Sequence, residues 1–575
     1  MFSMKSLLLF LFTTFFTLNL YSQNTIREND YTINYQSSNV EMIFDVPVVV
    51  NAFDVNSKER LNVVTEDGKT NSFLIDNVLP ASIIKVEYRY LYGKNYDLQT
   101  TYLASPSTST GTINVYFNHP VDTSVAQTQN AVNLGNTLDD MLISYINACV
   151  DTLDIAVYNS SSPSSATGIA GAINAAYTRG VQVRLIYDGS TSSDMIPLLN
   201  PGIPTLASPT SSSYGIMHNK FVIFDATNSN ATIPIVWTGS TNWTVAQIDG
   251  PDKNSAIVVQ DQALALGYKI EFEEMWGSST MTPNTALSKF GPYKTDNTPH
   301  SYIIGGKQVN SYFSPSDGTN AKIIAAINSA NSDIDIATML ITRTDISSAL
   351  TTKYANVLTN LNIVVDSQNP SGNQFLGLQS AINTSQVVKY TGSGIMHHKF
   401  MVIDNFDSSS DPQVLVGSHN WSSAAETKND ENILIVHDAN ITNQYYQAFV
   451  YLFGQAGGIL NTNENVITNE NLVLYPNPSE GIFYLTAKDN NFIDGVDLSV
   501  YDVLGKRVFR KHSTHLSNEV IDLSGQGSGV YFVEVVNGEK VAHIKVLKGQ
   551  RWDCMYAAIG LDISYCDVRY VVLIP

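Results

Sequence analysis

The chain has 575 residues, too many for one hydrophobic core, so several domains are expected. Hydrophobic residues make up 43%, which excludes wholesale disorder, and a formal net charge of −20 disfavours tracking along a nucleic-acid backbone without excluding a small basic site. The three cysteines, Cys149, Cys554 and Cys566, fall in no CxxC or zinc spacing and exclude a disulfide-built scaffold.

In chain order, residues 1–22 hold an early Lys5, an apolar run and a small residue, Ser22, ahead of Gln23, which is the pattern of a signal peptide. No later uninterrupted apolar run is long enough to span a bilayer, so a soluble, exported mature chain is expected. Residues 23–112 alternate short β-rich runs, such as "VPVVVNAFDV" and "IIKVEYRYLYG", with turn residues, and predict an all-β, sandwich-like accessory domain ending in the linker "ASPSTSTGT".

From 113 to 456 strands alternate with helices. "DTLDIAVY", "TGIAGAINAAYTRG" and "VQVRLIYD" read strand, helix, strand, and "SDIDIATML", "TDISSALTTKYA" and "LNIVVD" repeat the order. Asp188 and Asp366 are 178 residues apart, His218 and His397 179, and Gly239 and Gly417 178. Near-constant offsets over such a length mean an internal duplication, here a pseudo-two-fold pair of repeats at 113–290 and 291–456. Each repeat is expected to bury its sheet against the other.

The duplication carries chemistry. "HNKFVIFD" begins at His218 and "HHKFMVID" at His397. On a strand His218 and Lys220 share a face, as do His397 and Lys399, whereas Asp225 and Asp404 fall on the opposite parity and are expected to fix local backbone or an ion pair. "GSTNW" at 239–243 and "GSHNW" at 417–421 each follow a strand and add Ser240, Asn242, Ser418 and Asn420. If the repeats meet face to face, two imidazoles, two ammonium groups and two amides converge. Such donors suit the non-bridging oxygens of a phosphodiester, and paired imidazoles suit a double displacement in which one attacks phosphorus and the other protonates the leaving oxygen.

Two HxKxxxxD motifs, each followed by GSxN, resemble the phospholipase D superfamily over about 113–456. The resemblance implies a duplicated α/β fold with two sheets flanked by helices, a covalent phosphohistidine, and neither metal nor cofactor. It implies catalytic roles for His218, Lys220, Asp225, His397, Lys399 and Asp404 and substrate binding by Ser240, Asn242, Ser418 and Asn420. It also places a carboxylate after each GSxN against the catalytic His, often across the repeats. Here "KNDENILIV" supplies Glu431, while the matching "KNSAIVV" has Asn254, with Asp252 nearby as a substitute. If pairing crosses, Glu431 orients His218, making His218 the nucleophile and His397 the acid.

A zinc site using His397 and His398 is the rival chemistry, but strand neighbours face opposite ways. A catalytically inactive binding module is the non-enzyme rival, favoured only by the missing carboxylate. For substrate, the compact repeats are similar to the nuclease-like branch. Yet residues 113–456 hold 14 Lys plus Arg against 27 Asp plus Glu, a net −13, where a nuclease wants a basic groove. A lipase wants an apolar rim, for which "IPLLNPGIP" and "GNQFLGLQ" are candidates. Phospholipid head-group hydrolysis is the expected activity, metal-independent nuclease the alternative. With both motifs in one chain, a monomer is expected.

A polar linker, 457–471, leads to Gly-, Asn- and Pro-punctuated strands at 472–548, a second small all-β sandwich. "YPNPSEG", "VYDVLGKRV", "DLSGQGSGVYFVEV" and the terminal "KVLK" resemble the C-terminal sorting domain of the type IX secretion system, which implies that machinery as a partner and a secreted or cell-surface destination. Residues 549–575 form an atypical tail.

Overall fold

The computed structural model describes residues 25–460 and 472–549, apart from 29, 37, 66–68, 93–96, 162, 192, 369, 408, 488–494, 504, 515, 517–518 and 538–539. The leader, most of the 457–471 linker, and the tail with Cys554 and Cys566 lie outside these residues. Two compact units divide at residue 460. No helix among the described residues is long and apolar enough to cross a membrane.

At the N-terminus, strands Tyr31–Tyr35 and Val40–Phe44 bury every second residue, as period-two sequences do when one face meets a core. They belong to a five-stranded sheet facing a three-stranded one, Val48–Asp54, Ile83–Tyr90 and Gln99–Ala104. Ile33, Met42, Phe44, Val86 and Leu103 fill the space between, and Ile303 from the second repeat joins this core.

The central region holds two eight-stranded sheets of matched order. The first runs Val132–Asn133, Ile113–Phe117, Ser255–Val259, Ile235–Gly239, Lys220–Phe224, Thr152–Val157, Gln182–Tyr187, Thr205–Ala207. The second runs Ser301–Ile304, Lys307–Ser314, Glu431–His437, Gln413–Gly417, Lys399–Ile403, Asp333–Thr338, Asn360–Asp366, Val387–Tyr390. The strands are apolar on both faces, as sheets covered on both sides require.

The sheets meet directly along their central strands, Ile235–Gly239 against Gln413–Gly417, and Thr238 Oγ1 donates to Asn432 Oδ1 at 2.9 Å. Elsewhere helices Gln262–Trp276 and Ala439–Gln455 lie between them. Tyr268 and Phe272 from one helix and Tyr445 and Phe449 from the other share a core with Phe221 and Ile223 of the first sheet and Phe400 and Val402 of the second. Both helices start at matched aspartates: Asp261 accepts from Leu264 N at 2.9 Å and Asp438 from Ile441 N at 2.8 Å, capping orphan amides. Leu138–Ala148 and Pro163–Thr178 cover the outer face of the first sheet; Thr319–Ser329, Thr344–Asn356 and Phe375–Ala381 cover the second.

The C-terminal unit is a sandwich of three strands, Leu472–Tyr475, Ile482–Ala487 and Glu519–Asp522, and four, Arg507–Ser513, Val496–Asp502, Gly529–Asn537 and Lys540–Lys548. Phe483, Leu485, Leu498, Val500 and Val533 form its core.

Candidate active site

Lys220 opens its strand and pairs with Val157, the last residue of Thr152–Val157; Lys399 pairs with Thr338 in the same way. The His and Lys residues therefore sit beyond the carboxyl ends of the parallel strands, where open α/β sheets bind ligands.

Asp225 and Asp404 end the same strands at the opposite pole, both at φ 54°. Asp225 accepts from the backbone amides of Val150, Asp151 and Thr152, and Asp404 from those of Asn331, Ser332 and Asp333. Their carboxylates tie each strand end to the turn before the neighbouring strand and do not reach the cleft. The catalytic role implied by family resemblance is corrected accordingly, and the physical reason is the length of the strand, which separates each Asp from its Lys by five extended residues, about 16 Å. The buried Cys149 donates its thiol toward Asp225 Oδ1 at 3.4 Å, and burial pushes its pKa up.

Ser240 and Ser418 also turn away from substrate. Their hydroxyls accept from Ser255 N and Asn432 N, each at 3.1 Å, and they are almost wholly buried. They hold the tight turn after each central strand rather than binding a ligand, a second correction. Gly239 and Gly417 precede them because a Cβ there would collide with the carbonyls of Ser255 and Asn432. Asn242 and Asn420 follow; the Oδ1 atom of each is buried without a protein partner.

The two histidines are completed across the repeats. His218 Nδ1 lies 2.7 Å from Glu431 Oε2, with Glu431 fully buried. His397 Nδ1 lies 3.0 Å from Asn254 Oδ1 and 3.1 Å from the Ser240 carbonyl. Both nitrogens face acceptors, so in the neutral rings Nδ1 carries the proton and Nε2 holds the lone pair. Asp252, considered as a substitute carboxylate, instead accepts from Ile395 N at 2.7 Å. The position facing His397 belongs to the neutral Asn254 amide.

Lys220 and Lys399 each donate to the carbonyl of the histidine two residues before, at 2.6 and 2.7 Å, and keep two further N–H groups. Burial pushes Lys220 well below its usual range, with Lys399 adding repulsion, and burial pushes Lys399 down to about 7. Burial and the two ammonium groups also lower both histidines, and His218 lowers His397, so all four groups act on one another in one cleft. Burial raises Glu431. An anion placed among these groups stabilises their charged forms and reverses the shifts.

Several neighbours carry no signal in a single sequence. Asp188 and Asp366, noted only as markers of the repeat, accept from Met217 N and Met396 N at 2.8 Å and set the entry into each motif. Tyr158 lies edge-on to His218, ring centroids 4.8 Å apart. His398 turns away from His397, its Nε2 2.7 Å from His119 Nε2, so the adjacent pair does not form one metal site. Among the described residues the one cluster of three metal-capable groups, Asp296, His300 and Asp317, is not part of the cleft.

The site belongs to a class: a doubly histidine-armed cleft where the two halves of a duplicated α/β domain meet. Residues 142–276 and 323–453 match the family described as cardiolipin synthase, PLD-like domain, and residues 473–548 match the secretion system C-terminal sorting domain. The chain thus carries two copies of a PLD-like domain and a sorting domain for type IX secretion to the cell surface or medium.

A mitochondrial cardiolipin hydrolase of Xenopus tropicalis is 33% identical over 129 residues, 22% of this chain and 54% of the relative. One from Drosophila melanogaster is 29% identical over 163 residues, 25% of this chain and 61% of the relative. The chain spans little more than half the length of these curated relatives. Among solved structures, the phospholipase D family member Nuc from Salmonella typhimurium is 27% identical, covering 26% of this chain and 95% of that one, at a TM-score of 0.22.

Proposed function

We propose that the chain is an exported phosphodiesterase that hydrolyses phospholipid head-group diesters through a phosphohistidine at His218. The observation that supports this most directly is the Glu431 carboxylate on His218 Nδ1 opposite the neutral Asn254 amide on His397 Nδ1. A carboxylate holds its imidazole in the Nδ1–H tautomer and makes Nε2 the better nucleophile, whereas an amide leaves the other ring a stronger acid.

In the first step His218 Nε2 bonds to phosphorus and the bond to the leaving oxygen breaks. That oxygen takes the Nε2 proton of His397. Lys220 and Lys399 balance charge on the non-bridging oxygens, aided by Asn242 and Asn420. In the second step His397 takes a proton from water as the water oxygen bonds to phosphorus, and the bond to His218 breaks.

A lipid substrate is supported by two exposed leucines at matched positions. Leu198 and Leu376 stand ten residues beyond Asp188 and Asp366, in segments that follow strands Gln182–Tyr187 and Asn360–Asp366, and are 44% and 75% exposed. Exposed apolar side chains suit contact with a bilayer surface. The names of the curated relatives and of the matched family single out cardiolipin, a phosphodiester lipid, as the first substrate to test.

One observation favours a nuclease instead. Tyr214, four residues before His218, lies 5.1 Å from the ring of the half-exposed Tyr293 with the planes tilted by 42°, and the adjacent Gly215 N bonds to Lys428 O. Such a ring pair suits a base of single-stranded nucleic acid. The deciding experiment assays the purified mature chain on cardiolipin and phosphatidylcholine vesicles and on single-stranded and plasmid DNA. The lipid proposal expects release of head group, with Leu198→Ser plus Leu376→Ser slowing vesicle hydrolysis but not hydrolysis of a soluble diester. DNA cleavage without lipid turnover would replace it with the nuclease, and no turnover of any diester would leave an inactive module.

A further inference from the structure

The two segments that deliver Glu431 and Asn254 are built alike in backbone and differently in side chain. His218 N donates to Asp430 O at 2.9 Å and Asp430 N to Ile216 O at 3.0 Å. At the matched place His397 N donates to Lys253 O at 2.9 Å and Lys253 N to Ile395 O at 2.8 Å. Lys253 is only partly buried. Asp430 is 2% exposed, and its Oδ1 accepts from Gly291 N at 2.7 Å and lies 3.6 Å from Lys294 Nζ. Lys294 in turn is paired with Glu271 on helix Gln262–Trp276, and both side chains are buried.

We infer that the buried Glu271–Lys294–Asp430 cluster positions Glu431 against His218, and so makes the first-repeat histidine the more basic of the pair. This deepens the proposed mechanism and rests on it for its effect on turnover. Desolvating three ionisable groups costs several kcal/mol each, and well-packed apolar residues would be at least as stable. The cluster is therefore poorly explained as a stabilising device. Its geometry explains it better. Asp430 sits one residue before Glu431, and its carboxylate is gripped by the repeat linker through Gly291 and Lys294, while Lys294 is gripped by the helix between the sheets. Phe313 lies under the ammonium at 5.9 Å, so Lys294 has little freedom to leave. Glu274, Asp317 and Asp188 are the other acidic groups acting on the cluster, and none of them lies in the 428–431 segment. Among the described residues no buried ion pair holds Lys253, whose Nζ donates to Pro251 O at 2.5 Å, and the residue after it is a neutral amide that needs no charge alignment.

The test is a double-mutant cycle. Asp430→Asn keeps an oxygen for Gly291 N but loosens the hold of Lys294. It should lower kcat on an unactivated diester about 10–100-fold, the usual cost of removing an orienting partner, with KM little changed. In a Glu431→Gln background the same change should cost almost nothing, because Asp430 acts through Glu431. Glu271→Gln with Lys294→Met and Asp430→Asn removes all three charges without stranding one and should behave like Asp430→Asn alone. A second readout needs no turnover: the downfield Nδ1–H resonance of His218 in ¹⁵N-histidine spectra should move upfield in Asp430→Asn while that of His397 stays. Unchanged resonances, or equal losses with and without Glu431, would overturn the inference. If the wild type cleaves no diester yet the His218 resonance moves, the anchor stands and the proposed activity fails.

Discussion

Asn254 and Glu431 occupy matched positions beside the central strand of each sheet, and each reaches across to the histidine of the other repeat, at 3.0 and 2.7 Å. One is neutral and the other a buried carboxylate, so a near-symmetric scaffold holds two histidines in unlike surroundings.

That difference should be transferable. Glu431→Gln is expected to slow an unactivated diester by about 10²–10⁴-fold, the range for losing effective acid–base or nucleophile activation. Asn254→Asp should raise the pKa of His397 and move the alkaline limb of the kcat profile upward, while weakening the acid. Rates against pH for the two variants and their combination check this.

The histidines should fail differently. His218→Ala is expected to form no phosphoenzyme with any substrate. His397→Ala should still be labelled by a p-nitrophenyl diester, whose leaving group needs no proton, and should lose far more on a natural diester. Acid-quenched labelling with the activated substrate reads this out, and label on His397 rather than His218 would reverse the roles.

Anion affinity should depend on Lys399. Burial pushes this group down to about 7, and a bound anion raises it, so the charged form is complete below that pH and is lost above it. Sulfate, whose own charge is constant there, should weaken by up to about tenfold per unit above pH 7 and tighten further below it as the lowered histidines take up protons. Lys399→Met should bind sulfate weakly at every pH and remove that step, as followed by calorimetry. Turnover should survive EDTA, since the ammonium groups supply the positive charge.

The two repeats should differ in stability. In the first, Arg184 makes a two-pronged pair with Asp154 at 2.7 Å, so Arg184→Met should cost about 3–5 kcal/mol by stranding a buried carboxylate. In the second, the matched Asp335 has only Asn362, whose Nδ2 donates at 2.8 Å and whose Oδ1 has no other protein partner. Burial and Asp333 raise Asp335 well above the usual carboxylate range. Folded protein thus keeps a proton that unfolded chain sheds above about pH 4, so this stabilising term is complete below that pH and declines as pH rises toward the folded pKa. Asp335→Asn should raise the thermal midpoint at pH 7 and have less effect at pH 4, as read by calorimetry.

Much of this was legible in the chain alone. Short-range spacing put His218 beside Lys220, and His397 beside Lys399, on one strand face, because alternation is a local property of extended backbone. Equal offsets between Asp188 and Asp366, or Gly239 and Gly417, exposed the duplication, because a repeated fold repeats its turns. Parity likewise pointed Asp225 and Asp404 away from the substrate side, and strand length keeps them there. The serines of GSxN misled, since a hydroxyl beside an active site and one closing a turn are the same residue in sequence.

What only the tertiary structure decided are the contacts made far along the chain. The packing of two aromatic helices between the sheets, the span of 213 residues from His218 to Glu431 and that of 143 from Asn254 to His397 have no local code. The sequence determined which side chains the cleft contains, because backbone periodicity places them. Which oxygen faces which imidazole, and which buried cation holds Asp430 beside it, was decided by the packing of one repeat on the other, because hydrogen bonds between distant segments exist only once both sheets and the helices between them are in place.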